Sequence, residues 1–471
     1  MSAKKILAYI KKNNIEYVDL RFTDTRGKEH HLTITPEVIH HDFFESGKSF
    51  DGSSISAWKN IEDSDMLLIP DEDDFKLDIF RARPTLILKC TVFDPKTKQP
   101  YLFCPRATAK RAEQYLAHNQ IADTALFGPE TEFFIFDQVT FETQINGCQY
   151  RVDSSEGIWN SNNPNLNLDA NLGYHTPIKG GYFPVPPVDS GADLRAEICA
   201  ALKQMGIHVE LHHHEVATGG QAEIGTQYDT LTKKADQLQL IKYVAHSVAA
   251  AHGKSITFMP KPLIGDNGSG LHVHQSLLLN KKNIFSGNQY AGLSNTALYY
   301  IGGIIKHGKA LNAFTNASVN SYRRLIPGFE APIYLVYSAQ NRSAAIRMPY
   351  TNTPKEKRIE IRFPDATMNP YLAFSALLMA GLDGIKNKIH PGDPKEINLY
   401  QLPEHKAKHL PAVSNSLENA LDHLEQDHAF LLEDDVFTQE QIKRYIQIKM
   451  QEVIKARACT HPIEFEMYYD L

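Results

Sequence analysis

Cysteine is scarce and scattered. The five residues Cys90, Cys104, Cys148, Cys199 and Cys459 are odd in number and form no C-x-x-C pair, which argues against a disulfide framework and a zinc knuckle and leaves reduced, structural thiols. No apolar run is long enough to span a bilayer. The leading Met1-Ser2-Ala3-Lys4-Lys5-Ile6 runs into an amphipathic stretch with Lys11 and Lys12 rather than the apolar block of a secretory signal, so a cytoplasmic protein without membrane association is expected. Basic residues do not outnumber acidic ones: 49 Lys+Arg against 55 Asp+Glu give a formal charge of −6, which offers nucleic acid no electrostatic footing. An anionic small substrate would have to be met by local arginines instead. Familiar nucleotide and protease signatures are missing too. Gly47-Lys48-Ser49 and Gly253-Lys254-Ser255 look like the ends of P-loops, but neither has a glycine five residues earlier, and the chain contains no G-x-G-x-x-G and no H-E-x-x-H. A nucleotide site must be of another kind. No repeat occurs at solenoid spacing.

What is present is an ordinary soluble mixture, 42% hydrophobic and 22% charged, in a chain too long at 471 residues for one compact core. Two domains are expected, one small and one large. Residues 3–13 read as a helix, and Tyr17 to Ile34 alternates like a hairpin about Thr25-Arg26-Gly27-Lys28. Strand-like runs at Asp65–Pro70 and Thr85–Phe93 continue this β-rich unit until Cys104-Pro105-Arg106 opens a helical pattern to about Asn119. The boundary is therefore set at Cys104, dividing 1–104 from 105–471. Beyond it, strands at Thr131–Phe136, His208–Val216, Leu271–Ser276 and Arg358–Phe363 alternate with helices near 190–205, 229–252, 294–313 and 370–386. The fold class is α+β, with a largely antiparallel sheet that has one wet face. Segment 145–175, rich in Asn, Asp and Gly, reads as a surface excursion.

Three strands carry polar residues at every second position. Period-two alternation puts Glu130 and Glu132 on one face, where the two acids repel unless a cation lies between them. It likewise turns His272, His274 and Ser276 away from Leu271 and Val273, and Arg358, Glu360 and Arg362 away from Ile359, Ile361 and Phe363. A fourth segment, Glu210-Leu211-His212-His213-His214-Glu215 through Glu223, adds acids and imidazoles. Each pattern alone also describes a solvated sheet face or a packed histidine pair. Together they describe a carboxylate-rich site with one or two histidines, the donor set of Mg²⁺ or Mn²⁺ rather than zinc. The loop Lys261-Pro262 through Asn267-Gly268-Ser269-Gly270 leads into the histidine strand, and its glycines allow close approach to an anion. Arg323, Arg324, Arg342, Arg347, Arg358 and Arg362 supply guanidinium forks that match carboxylates and phosphates.

Taken in order, Phe50-Asp51-Gly52-Ser53-Ser54, Lys261-Pro262 with Asn267-Gly268-Ser269-Gly270-Leu271-His272, and Asn341-Arg342-Ser343 make the chain resemble the type I glutamine synthetase family from end to end. The resemblance implies an N-terminal β-grasp-like domain, a catalytic domain with a curved antiparallel sheet, and a dodecamer of two stacked hexameric rings. It implies ATP-dependent ligation of ammonia to glutamate through γ-glutamyl phosphate. Two Mg²⁺ or Mn²⁺ ions per site are implied, one on Glu132, Glu215 and Glu223, the other on Glu130, His272 and Glu360. Nucleotide contacts fall by similarity on Glu210, His274, Ser276, Arg342, Arg347 and Lys355. Glutamate contacts fall on Asn267, Gly268, Arg324, Glu330 and Arg362. Asp51 of a neighbouring subunit would bind and deprotonate ammonium, although Asp-Gly-Ser-Ser is also a good turn. Glu330 would sit on a flap that closes over the intermediate.

Two alternatives stay open at this stage. A ligase of the same superfamily that takes a larger amine would keep the metals, and Asp51 argues against it. A scaffold without activity would have no need of so many mutually repelling acids. The stretch Lys388 to Tyr400 resembles the segment on which an adenylyltransferase modifies regulated members of the family, with Tyr400 as an exposed acceptor. It differs from the usual pattern in Lys395-Glu396-Ile397 before Asn398-Leu399-Tyr400 and in Gln401 after it.

Overall fold

The computed structural model describes residues 3–56, 58–160, 172–459 and 463–471. Helix α1 (Ala3–Lys12) opens the chain and buries Ala3, Ile6 and Ile10 on one face. Strands β1 (Tyr17–Thr23), β2 (Glu29–Ile34), β3 (Lys48–Asp51), β4 (Asp65–Asp78) and β5 (Thr85–Phe93) form a sheet in the order β2-β1-β5-β4-β3. The central β1–β5 pair is parallel and the other pairs are antiparallel. β4 runs past Pro70, where the sequence suggested an end. Proline cannot donate to the ladder, so the register with β5 shifts between Pro70 and Phe75 and pairing then resumes. A hydrophobic cluster drawn from Ala3 to Ala107 fills this first unit.

Helix α2 (Pro105–His118) begins with its proline in the first turn, where the missing N–H costs nothing. The second sheet contains β6 (Thr124–Phe136), β9 (Val209–His214), β10 (Gln221–Thr226), β13 (Leu271–Leu279), β15 (Tyr337–Ala339), β16 (Ile346–Met348) and β17 (Ile359–Ile361), in the order β15-β16-β17-β13-β6-β10-β9. Short strands β11 (Asp229–Thr230) and β12 (Ser255–Thr257) pair with β6, and β14 (Lys282–Asn283) pairs with β13. Every pairing is antiparallel except β15–β16. Hairpin β7 (Gln138–Gln144) and β8 (Gly147–Asp153) stands apart with Ile145 exposed at its tip. It forms the start of the excursion expected at 145–175, of which 161–171 lie outside the described residues.

The dry face of the large sheet packs on helices α3 (Ala192–Gln204), α4 (Leu231–Ala251), α5 (Asn295–Thr315) and α6 (Pro370–Lys386), with α7 (Leu417–Gln426) and α8 (Gln439–Ala458) beyond them. Helices α5 and α6 touch backbone to backbone. A Cβ on Gly303 would stand 2.0 Å from the Ala380 carbonyl oxygen, and one on Gly384 would stand 2.1 Å from that of Tyr299. Asn369 caps α6 through the amides of Tyr371 and Leu372, and Ser294 caps α5 through that of Ala297. Among the described residues no helix is long and apolar enough to cross a membrane.

Polar seams join the two sheets' domains. Arg106 on α2 donates to both oxygens of Asp236 on α4 and to Thr91 of β5, and lies 2.8 Å from Asp71 of β4. Tyr371 of α6 donates to the same Asp236 at 2.7 Å. The carboxylate opposing this buried guanidinium holds it strongly protonated against the effect of burial. Removing Asp236 takes away the two-oxygen partner of the buried guanidinium and leaves it Asp71 alone, so Asp236→Ala is expected to lose about 3 kcal/mol of stability in chemical denaturation, the low end for breaking a buried pair. Lys386→Ala breaks only an exposed pair with Glu433 and is expected to lose about 0–1 kcal/mol.

Candidate active site

Strand register builds the site. Glu130 on β6 lies opposite His272 on β13, and Glu132 lies opposite Glu223 on β10, which faces His213 on β9. On the other side, Glu360 on β17 lies opposite both His274 on β13 and Arg347 on β16. Their alternates Val273, Ile224, Ile361 and Ile346 are buried in the core. One sheet face therefore carries an uninterrupted polar row across six strands.

Two groups of donors stand out. Glu130, His272 and Glu360 bring one ligand atom each to within 4.8 Å of the others, and His213, Glu215 and Glu223 do the same. In the first group, Glu130 receives His272 Nδ1 at 3.0 Å and His274 Nε2 at 2.8 Å. Burial works against ionisation of Glu130, but these imidazole bonds outweigh it and hold its carboxyl well below the usual range. Glu360 is fully buried and bonded to both Arg347 Nε and Arg362. Burial alone would raise its pKa; the Arg362 charge brings it down instead.

The second group has no arginine bonded to it. Burial and the charges of Glu132 and Glu223 push the Glu215 carboxyl up to about 9. Burial also raises Glu132, with Glu223 adding to the effect, even though Glu132 accepts the Gly270 amide at 2.8 Å. Three acids pressed together with no arginine bonded to them, and only His213 beside Glu215 and Glu223, are a site shaped for a cation, and an oxygen-rich donor set suits Mg²⁺ or Mn²⁺.

The glycine-rich loop joins the two groups to the arginines. Arg324 is buried and donates to the carbonyls of Phe363, Pro364 and Arg362. A Cβ on Gly270 would stand 2.6 Å from its guanidinium, and one on Gly268 would stand 2.3 Å from the Pro260 carbonyl oxygen, so only glycine fits this approach. Asn267 is buried with its Oδ1 lacking a hydrogen-bond partner, a polar atom left for a ligand to satisfy. Ser276 lies further along β13 and is buried, and Glu210, Arg342 and Lys355 are exposed. Arg358 Nε donates to His274 Nδ1 at 3.2 Å.

Two ammonium groups approach the Phe329 ring, Lys179 at 4.3 Å and Lys261 at 4.0 Å from its centre. Glu330 follows in a left-handed conformation with φ 60° and an exposed side chain. Tyr400 is half-buried, not the freely exposed acceptor expected from its loop. Its hydroxyl donates to the Glu330 carbonyl at 2.7 Å, with the Arg342 carbonyl 3.2 Å away. Asp51 is exposed and accepts hydrogen bonds from the turn residues Ser53 and Ser54, so within one chain it behaves as a cap.

Sequence reasoning singled out the triple histidine without giving His213 a place. Alternation held the signal: only one residue of the trio can lie directly opposite Glu223. The buried pair of Glu156 and His214, 3.1 Å apart, had no such signal, because its members lie far apart in the chain.

Two oxygen-rich clusters and a set of buried arginines on one sheet face define a metal-using enzyme for anionic substrates. The chain belongs to the glutamine synthetase family: residues 14–95 match the family's beta-Grasp domain and residues 102–468 its catalytic domain. It is 57% identical over 471 residues to the glutamine synthetase of Methylococcus capsulatus and 54% identical over 471 residues to that of Escherichia coli K12, with 100% of each chain covered in both cases. The cryo-EM structure of Plasmodium falciparum glutamine synthetase superposes with a TM-score of 0.90 at 33% identity, covering 100% of this chain and 99% of that one. The activity is ATP-dependent ligation of glutamate and ammonia to glutamine.

A proton on Glu215 competes with any cation entering its cluster. Because this carboxyl is raised in the folded state, protonation is favoured below about pH 9 and is lost above it. Adding Mn²⁺ to metal-free protein at pH 7.5 in weak buffer is expected to release protons, and Glu215→Gln to release fewer. The thermal stabilisation given by Mn²⁺ is expected to grow from pH 6 to pH 8.

Proposed function

We propose that the cleft makes γ-glutamyl phosphate from glutamate and ATP and then exchanges its phosphate for ammonia. The observation that carries this reading is the meeting of Glu130, His272 and Glu360 beside Arg347 and Arg362 on one sheet face. A carboxylate is a poor acceptor for an amine, so it must first be phosphorylated, and two anions must be brought together for that. Divalent cations, Mg²⁺ or Mn²⁺ and two per site, would be held by Glu132, Glu215 and Glu223 and by Glu130, His272 and Glu360. When bound they neutralise phosphate oxygens and help set the groups in line.

The protein's own side chains do the rest. Arg342, Arg347 and Lys355 meet the triphosphate, with Glu210 on β9 and His274 and Ser276 on β13. Arg324 and Arg362 orient glutamate, with Asn267 and Gly268 at its amino-acid end; the unpartnered Asn267 Oδ1 supports this assignment. Ammonium has no lone pair, so a carboxylate must attract it and take a proton. Asp51 of an adjoining subunit fills that role, in a homo-oligomer of two hexameric rings. Its exposure in the single chain and its lack of bonds to its own cleft support that reading. Glu330 closes over the acyl phosphate and excludes water.

The domain division falls at Cys104, near the end of the first unit's own hydrophobic cluster, which reaches Ala107, and the whole works in the cytoplasm. Tyr400 is the acceptor for an adenylyltransferase. Modification must break its bond to Glu330 and set an anion at the flap, giving an AMP-sized mass increment on the Tyr400 peptide.

Glu360→Gln is expected to remove ATP turnover by at least about a hundredfold while the protein stays folded by circular dichroism. Near-normal turnover would refute the assignment. Asp51→Ala is expected to raise the KM for ammonium far more than that for ATP, and equal KM values for ammonium in variant and parent would count against it.

A further inference from the structure

The hairpin β7–β8 and the end of the chain meet at a place that the reaction does not use. Side chains alternate along β8, so Cys148, Tyr150 and Val152 share one face, and these are partly covered while Gly147, Gln149 and Arg151 are exposed. That face is turned to the C-terminal segment. Tyr150 stacks on Phe465 of the short helix Glu464–Tyr468, with ring centres 4.2 Å apart. Thr143, directly opposite Cys148 in the hairpin ladder, donates to Glu466 Oε2 at 2.9 Å. The other oxygen of Glu466 accepts from Lys455, in the last turn of α8, at 2.7 Å. Cys459 follows Lys455 by four residues, about one turn, and caps the same helix. Tyr150, Phe465 and Cys459 line one cavity of about 610 Å³.

Two thiols from distant parts of the chain thus come to one spot. Partial burial, and then the charge of Cys459 itself, raise the Cys148 thiol, so each sulfur lies within reach of the other's field. Both thiols are free and partly exposed, open to a small reagent, whereas Cys90, Cys104 and Cys199 are buried. Burial raises the thiols of Cys90 and Cys199, which keeps them from reacting as thiolates.

We propose that Cys148 and Cys459 are an oxidisable pair that closes into a disulfide and fastens the hairpin to the end of α8. The oxidant is a small-molecule disulfide of the glutathione type. One protein thiolate attacks a sulfur of the reagent, whose S–S bond breaks as one reagent thiol leaves. The second protein thiolate then displaces the other reagent thiol from the mixed disulfide. One S–S bond breaks and one forms, two protein thiols are oxidised, and the reagent departs as two thiols carrying the two protons. In a reducing compartment the pair stays open, and it closes when the thiol–disulfide poise turns oxidising. The cavity beside the bond is also lined by Leu263 of the glycine-rich loop and by Ile326 and Phe329 next to Glu330, so closure stiffens a wall shared with the cover of the cleft.

The full-length protein, reduced and then exposed while folded to oxidised glutathione, tests this by alkylation and peptide mapping without reduction. The expected result is one pair of peptides joined through Cys148 and Cys459, a loss of two from the five free thiols, and recovery of all five with dithiothreitol. Non-reducing denaturing electrophoresis is expected to place the bond within one chain. Cys148→Ser and Cys459→Ser are each expected to lose the bond and to hold glutathione on the remaining partner as a trapped mixed disulfide, with ammonia-dependent ATP turnover unchanged before oxidation. Glutathione on both thiols with no bond between them, a bond joining two chains or reaching one of the buried cysteines, or five unreacted thiols overturns the proposal.

Discussion

Repulsion between carboxylates is the constraint around which this molecule is arranged. Glu130, Glu132, Glu215, Glu223 and Glu360 are brought together on one sheet face, four of them on strands β6, β10 and β17. The fold must hold them there whether or not a cation is present. It does so by placing their alternates in the core, so that turning an acid outward would require pulling an isoleucine or valine out of it. A slip of one residue in any of these strands would exchange the two faces completely. Hydrophobic packing behind the sheet therefore holds like charges together in front of it.

The two halves of the face settle the repulsion differently. Around Glu360 the charge is met by guanidinium groups and imidazoles, which hold the acids there below the usual carboxylate range. Around Glu215 burial and the neighbouring acids instead push the carboxyl up to about 9. The first half is ready for anionic substrates in its resting state. In the second, a proton on Glu215 and a cation would compete for the same carboxylate.

Much of this was legible because period-two alternation is a local property. Glu130 with Glu132, His272 with His274, and Glu360 with Arg362 each declare a shared face within five residues of sequence. What sequence could not state is which strand lies beside which. That knowledge puts His213 across from Glu223 and Glu156 against His214. Strand limits were misjudged where a local rule was overridden by pairing, as at Pro70, where a shift of register carries β4 onward. The exposure of Tyr400 was misjudged because loop composition predicts accessibility and does not predict that a hydroxyl will find the carbonyl of Glu330.

The seam between the two sheets bears on how the chain can be divided. Gln239 of α4 donates to Thr23 and to the Gly27 carbonyl, Asn369 of α6 donates to the Asp24 carbonyl, and Tyr243 donates to Asp78 while its ring lies 4.1 Å beneath the Arg21 guanidinium. These donors belong to the helices that back the catalytic sheet, and their acceptors belong to the first ninety residues. A catalytic fragment expressed alone would keep every side chain of its own cleft, yet it would uncover amides, a phenol and an Arg106 contact buried for another domain. Modular exchange of N-terminal units among such enzymes is thereby restricted to partners that reproduce the turn at Asp24–Gly27. The smaller domain is part of the larger one's foundation.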